Sequence, residues 1–303
     1  LENLFDAARL ARGIIRSLKI VENWKHDVIF SKGGYVAFPV VLAGHMKHVP
    51  IVIHESDFSP GLSTRLCGKM VQDICVVSKE TLKKFPNPLR SRVSITGNPI
   101  RREILKGSVA KAFDFLGLKK GESGMAHSPE RVPKILVMGG SLGAQKINEL
   151  VWAILPELLK HVMVIHITGV GKGLAKSQKR YFGFEYVGDK LADLYAISDL
   201  AVCRSGAGTV AELQCVGLPA IFIPLSSSAS RGDQYENAKY MSSDESVILE
   251  EPALTPEILL ETILEMVKKS KVRNTSKIIS NPIANLHRHA SESIAHIIIS
   301  NVK

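Results

Sequence analysis

Apolar residues in this chain gather into short runs divided by polar, glycine-punctuated stretches. Apolar-rich runs at 51–56 (IVIHES), 73–77, 134–138 (KILVM), 162–169 (VMVIHITG), 200–203 (LAVC) and 217–225 (GLPAIFIPL) read as strands buried on both faces, the pattern of a parallel sheet. HDVIF (26–30) and 93–96 are shorter strands of the same kind. Between them the spacing turns helical: 5–19, 36–46, 61–70, a stretch from Ser78, 145–150, 191–197, the segment after Gly208, one carrying Asp233, Gln234 and Asn237, and about 284–299. Thr255-Pro256 is a cap followed by proline in the first turn, which starts another helix. Strand–helix alternation run through twice predicts two Rossmann-like parallel α/β domains facing a cleft. The halves share a pattern and not residues, so there is no sequence repeat. The expected boundaries are 1–105 for the first domain, 106–132 for a Gly/Ser/Lys/Glu-rich linker, and 133–303 for the second. The last helix is expected to pack back toward the first domain.

The turns that follow the strands carry the candidate chemistry. At 201–212, AVCRSGAGTVAE, a buried strand breaks into Ser205-Gly206-Ala207-Gly208 and resumes as a helix. Such a turn directs free backbone N–H groups, with partial positive charge, at whatever lies above the sheet, and suits a phosphate or diphosphate. Thr209 and Glu212 follow, and a carboxylate one turn into the helix can accept from the vicinal hydroxyls of a ribose. An ordinary turn with a solvated Glu212 fits this stretch equally, because short glycine motifs recur by chance. At 54–57, His54, Glu55, Ser56 and Asp57 bunch at the carboxyl end of a strand, the ligand-binding edge of an open α/β sheet; a satisfied core histidine and a turn-capping Asp57 are the plain alternatives. Gly97-Asn98-Pro99-Ile100-Arg101 closes the first half and projects Arg101 where a domain cleft would open.

One rival motif is Gly139-Gly140-Ser141-Leu142-Gly143, which satisfies the G-x-S-x-G of a hydrolase nucleophile elbow between a strand and a helix. Asp189, Asp193 or Asp199, with His287, His289 or His296, would complete the order Ser–acid–His. The same turn is equally a phosphate cradle. The hydrolase reading leaves Arg101, Glu212 and the 54–57 cluster without a task.

Composition narrows the company the chain keeps. It has 303 residues, enough for two medium domains, with 45% apolar and 22% charged residues and a formal charge of +10. That charge points to anionic partners. The basic residues are dispersed with few aromatics among them, which argues against nucleic acid. Cys67, Cys75, Cys203 and Cys215 sit in apolar settings without metal-ligand spacing and read as reduced core residues of a cytosolic protein. No apolar run reaches membrane-spanning length, and no signal peptide is recognised. Residues 5–19 place Leu10, Ile14 and Ile15 among Arg9, Arg12, Arg16 and Lys19, a basic amphipathic helix that suits either a core-facing surface helix or an anionic membrane surface.

Taken together, SKGGYVAFPVVLAG, IVIHESDFSPGLSTRL, ITGNPIRREIL, ILVMGGSLGAQKIN, RSGAGTVAELQCVGLPAIFIPL and SRGDQYENA resemble, in order, the signature blocks of the MurG family. These are the N-acetylglucosaminyltransferases that turn lipid I into lipid II in peptidoglycan synthesis, with roles in cell shape and cell division. The resemblance implies a GT-B glycosyltransferase fold with the donor held by the second domain. UDP-N-acetylglucosamine would be the donor and undecaprenyl-diphosphate muramoyl-pentapeptide the acceptor. The transfer would invert the sugar and need neither metal nor cofactor, at the cytoplasmic face of the bacterial membrane.

Carried over by position, Ser205, Gly206, Ala207, Gly208 and Thr209 would meet the diphosphate, helped by Ser141, and Glu212 the ribose. The Val187 backbone would read the uracil edge, and Asp233 with Gln234 the sugar hydroxyls. Arg101 would stabilise the leaving diphosphate. The family's usual HEQN is HESD here, so Asp57 replaces an amide on the acceptor side. The family's opening strand and its GGTGGH loop are not in the given sequence, which starts at Leu1. About sixty residues are expected to be missing, leaving the first domain incomplete. Of the candidates for the general base, only His54 and Glu55 are present. The expectation is therefore that these residues bind the donor and transfer poorly. A donor-binding module without transfer is the first alternative, and a serine hydrolase using Ser141 the second.

Overall fold

The computed structural model describes residues 2–118, 132–140, 143–173, 178–226, 232–241, 246–269 and 281–302. The chain divides into two units, Leu1–Pro99 with Leu286–Lys303, and Ile100–Asn285.

The first unit is built on a four-stranded parallel sheet, β1 (Ile29–Ser31), β2 (Ile51–Glu55), β3 (Asp73–Val76) and β4 (Val93–Ile95), in that spatial order. Every residue of β2 is buried, the polar His54 and Glu55 at its end included. Ile51 and Ile53 face a core with Val41, Ala43, Cys67, Ile74, Val76 and Phe85. The intervening Val52, with Cys75, faces the other way and is covered by Ile294 of the last helix, Pro282–Ser300. Helix Glu2–Trp24 adds Val21 and Leu18 to the first core, and Ser78 caps helix Lys79–Lys83 by accepting from the Thr81 N–H at 3.0 Å.

The second unit carries six parallel strands. They are β5 (Lys134–Met138), β6 (Met163–Ile167), β7 (Tyr181–Phe184), β8 (Leu200–Cys203), β9 (Ala220–Phe222) and β10 (Val247–Ile248), ordered β10-β9-β8-β5-β6-β7 in space. Alternate residues again serve opposite faces. Ile135, Val137, Val164, Leu200 and Val202 pack under helices Gln145–His161 and Pro256–Lys269. Leu136, Met138, Ile165, Ala201 and Cys203 pack under helices Leu191–Ile197 and Ala207–Val216. Within the stretch read as a linker, residues 109–116 form a helix, Val109–Leu116, whose Ala112 and Leu116 join that second core. Residues 119–131 lie outside the described residues. All four cysteines are buried and unbridged.

Candidate functional site

Strand order in the second unit fixes where a ligand can sit. From β5 the chain builds to one side through β6 and β7, then returns to lay β8, β9 and β10 on the other side. The helix after β5 lies on one face of the sheet and the helix after β8 on the opposite face. Two connections that leave neighbouring strands in opposite directions open a crevice at the carboxyl ends, and open α/β sheets bind ligands there. Met138 and Cys203, the last residues of β5 and β8, pair in register, so the turns from Gly139 and from Arg204 begin side by side. Two glycine motifs more than sixty residues apart thus become the two walls of one crevice.

The two walls are built differently. Gly139 and Gly143 are packed tightly: a Cβ on Gly143 (φ +68°) would lie 2.3 Å from the Thr168 carbonyl oxygen, and one on Gly139 2.0 Å from the Ala144 nitrogen. Ser141 and Leu142, between them, lie outside the described residues. On the β8 side, a Cβ on Gly206 or Gly208 would meet nothing within 4 Å. Packing does not demand glycine at those two positions; its bareness leaves the start of helix Ala207–Val216 accessible, with its free N–H groups and dipole. Ala207 and Thr209 are half-buried there and Gly208 is exposed. Ser205 is fully buried, and its hydroxyl donates to the Gln234 carbonyl at 2.7 Å, so it fastens the turn to helix Asp233–Met241. Arg204 braces the turn from behind by donating to the carbonyls of Ile223 (2.9 Å) and Pro224 (3.2 Å) and pairing with Glu251.

Glu212 sits at the crevice with its side chain 13% exposed and both carboxylate oxygens engaged. Oε1 accepts from Arg101 Nε and Nη2, each at 3.2 Å, and Oε2 accepts from the Tyr195 hydroxyl at 3.1 Å. Tyr195 is 1% exposed. Burial, and after it the Glu212 charge, pushes its phenol well above the usual range, so it stays protonated and donates. Helix Leu191–Ile197 was legible in the sequence, but nothing marked its tyrosine as other than a core aromatic. Gln234 accepts from the Leu225 N–H through Oε1 at 3.1 Å. Asp233 Oδ1, by contrast, is buried with no hydrogen-bond partner among the described residues. Val187 is half-buried against the second core and opens the turn Gly188–Lys190, its carbonyl accepting from the Lys190 N–H at 3.0 Å.

In the first unit the 54–57 cluster is held by its own neighbours. His54 is fully buried, with Nε2 donating to the Gly97 carbonyl at 2.9 Å and Nδ1 accepting from Lys32 Nζ at 3.0 Å. Burial and the Lys32 charge lower its pKa to about 4, so it is a neutral ring with both nitrogens occupied. Glu55 caps the following loop, accepting from the N–H groups of Asp57 and Gly61 at 3.1 Å each. Asp57 is half-buried beside it. Three of the side chains a hydrolase would recruit are likewise committed. Asp193 accepts from the Ser108 N–H and Asp199 from the Lys134 N–H, both at 2.8 Å, while His287 accepts from the Asn98 N–H at 2.8 Å.

A doubly wound sheet with two glycine turns at its switch point and a carboxylate beside them is the arrangement of a nucleotide-binding domain. In keeping with that, sequence models of glycosyltransferase family 28 match the chain, the N-terminal domain over residues 1–76 and the C-terminal domain over residues 134–293. Among curated relatives, the UDP-N-acetylglucosamine–N-acetylmuramyl-(pentapeptide) pyrophosphoryl-undecaprenol N-acetylglucosamine transferase of Legionella pneumophila (strain Paris) is 37% identical over 281 residues, spanning 91% of this chain and 74% of that protein. The enzyme of the same name from Lachnoclostridium phytofermentans is 38% identical over 274 residues, spanning 89% and 74%. The chain belongs to this family, that of the MurG transferases. In fold it is similar to the crystal structure of Acinetobacter baumannii MurG, with a TM-score of 0.67 at 22% identity over 97% of this chain and 80% of that one. The GT-B architecture read from the sequence is therefore the observed one.

Proposed function

We propose that this protein transfers N-acetylglucosamine from UDP-N-acetylglucosamine to undecaprenyl-diphosphate muramoyl-pentapeptide, converting lipid I to lipid II in peptidoglycan synthesis. The observation that carries the reading is the crevice of the second unit, where the open glycine turn before helix Ala207–Val216 lies one helical turn from a carboxylate already oriented by two donors. In this reading the turn's N–H groups bind the diphosphate and Glu212 the ribose hydroxyls. The Val187 backbone meets the uracil, and Asp233 and Gln234 the sugar, the unpaired Asp233 oxygen accepting a hydrogen bond from a sugar hydroxyl. Arg101, half-exposed on its side chain, is free enough to turn from Glu212 to the leaving diphosphate as negative charge develops there. Calorimetric titration with UDP tests the donor half. Binding by the wild type and its loss in Glu212→Ala, with incorporation of labelled sugar into lipid I by the wild type, are the expected results. A folded sample that takes up no UDP refutes the reading.

The acceptor's lipid gives helix Glu2–Trp24 a role. Leu18 and Val21 turn inward, whereas Ile15 (56% exposed), Ile20 (50%) and Trp24 (73%) stand in solvent beside Arg12, Arg16 and Lys19. Apolar side chains flanked by cations suit an anionic bilayer surface, and none of the described helices is long and apolar enough to cross a membrane. Peripheral attachment at the cytoplasmic face follows from this reading.

A further inference from the structure

We propose that Tyr195 is a positioning residue for nucleotide selection: its hydroxyl holds Oε2 of Glu212 so that Oε1 is the oxygen presented to the ribose. The inference rests on the reading of Glu212 as the ribose-binding carboxylate and adds a residue to which no role in that task had been given. Tyr195 lies on a short helix, Leu191–Ile197, fully sunk in the core. Its hydroxyl reaches the end of β5, where Met138 Sδ is 3.7 Å away, and the helix after β8, where Glu212 Oε2 is 3.1 Å away. It thus ties both walls of the crevice to one rigid ring. A buried phenol that stays protonated is a fixed donor, and a donor of that kind leaves a carboxylate little rotational freedom.

The two oxygens of Glu212 are held unequally. Oε2 faces a donor that is 1% exposed and 3.1 Å away. Oε1 faces Arg101, whose side chain is 52% exposed and whose two contacts of 3.2 Å converge on one oxygen instead of forming a parallel fork. An exposed pair of that geometry is weak and exchangeable. Ribose hydroxyls can replace Arg101 on Oε1 while Tyr195 keeps the carboxylate plane fixed. The rest of the crevice, built of backbone N–H groups, grips the diphosphate whatever sugar is attached.

The test is the ratio of affinities for UDP and 2′-deoxyuridine diphosphate, measured by calorimetry on the full chain. Wild type prefers UDP by about tenfold or more, the effect of one hydrogen bond to a charged acceptor. Tyr195→Phe keeps the ring in the core and removes only the donor. It is expected to lower UDP affinity about fivefold to tenfold and bring the ratio below about three, with affinity for the deoxy nucleotide nearly unchanged. Glu212→Gln brings the ratio down as well, and adding Tyr195→Phe to it changes the ratio no further, because the tyrosine acts through the carboxylate. Met138→Leu, which removes the sulfur beside the hydroxyl, leaves the ratio at the wild-type value; a merely structural hydroxyl would shift thermal unfolding in both variants and the ratio in neither. If Tyr195→Phe retains the wild-type ratio while Glu212→Gln loses it, the positioning role is overturned and the ribose reading stands. If Glu212→Gln itself retains the ratio, the ribose reading falls, and this inference with it.

Discussion

Among the described residues three histidines are buried as neutral rings, His54 and His287 in the first unit and His166 in the second. Each has its pKa lowered to about 4, in every case chiefly by burial. Their hydrogen bonds show why the neutral form is wanted. His54 accepts from Lys32 and donates to Gly97, and His287 accepts from the Asn98 N–H. His166 donates through Nε2 to Asn148 Oδ1 at 3.0 Å and accepts from the Tyr181 hydroxyl at 3.2 Å. A second ring proton would confront a donor at each accepting nitrogen. In the unfolded chain a histidine titrates near 6.5. Below that pH the unfolded state binds more protons than the native one, so stability falls with pH from 6.5 down to about 4 and then levels off for these groups.

From pH 7 to pH 5 each ring costs about 2 kcal/mol, taking 1.36 kcal/mol per unit over the part of that window below 6.5. The first unit, with two such rings near one turn, loses about 4 kcal/mol and the second about 2, against a typical total of 5–15 kcal/mol. His54 and His287 feel each other's charge, so their two protons belong to the pair. Hydrogen exchange followed by mass spectrometry resolves the units: amides of β2 and β3 are expected to lose about twice the protection free energy of those in β5 and β8. His166→Gln, which does not titrate, removes the fall in β5 and β8 alone. A fall of unchanged size in that variant would refute the reasoning.

Gly97 has φ +79°, and a Cβ there would lie 2.7 Å from the Leu286 carbonyl carbon, so Gly97→Ala is expected to cost the first unit about 3 kcal/mol or more in urea unfolding, from left-handed strain plus a backbone clash. Arg101→Ala removes a half-exposed pair and is expected to change stability by less than about 1 kcal/mol; sugar transfer should nonetheless fall about tenfold to a hundredfold in kcat, as assayed with labelled donor. Ile15→Asp is expected to abolish salt-sensitive co-sedimentation with anionic vesicles while leaving UDP binding intact, and unchanged sedimentation would make that helix merely structural.

What could be read from the sequence follows from burial. Strands β2, β5, β6 and β8 are covered on both faces, so their runs are rich in apolar residues and their positions evident. β7 was missed as a separate strand because it is an edge, Tyr181–Phe184, carrying Gly183 and only partly buried, and β10 has two residues. Helix Val109–Leu116 was hidden in a stretch whose Gly, Ser and Lys content resembles a linker, although Ser108 caps it and Gly117 ends it in the left-handed conformation. Candidate residues were named from motifs, and motifs record type without direction. Nothing local in the sequence shows that the Ser205 hydroxyl turns to Gln234, that Glu55 is used up capping its own loop, or that Arg101 meets Glu212 across 111 residues of chain. Tyr195 left no signal because a buried aromatic on a short helix is common, and only the fold puts its hydroxyl beside a carboxylate.

The two sheets differ in a way that bears on the proposed donor site. Among the described residues, β1 to β4 lie side by side in chain order, so successive connections all step the same way and no reversal separates a pair of neighbours. In the second unit the return of the chain from β7 to lay β8 against β5 creates that reversal, and with it the crevice. Neither glycine turn is distinctive alone, since each fits an ordinary strand-to-helix connection. Pairing Met138 with Cys203 sets the two turns side by side, and the proposed site draws on that: helix-start N–H groups and a bare backbone of the kind that suits a nucleotide diphosphate. Topology, more than any one motif, turns a resemblance into a mechanism, and a variant that moved β8 away from β5 would lose nucleotide binding with every candidate residue still in place.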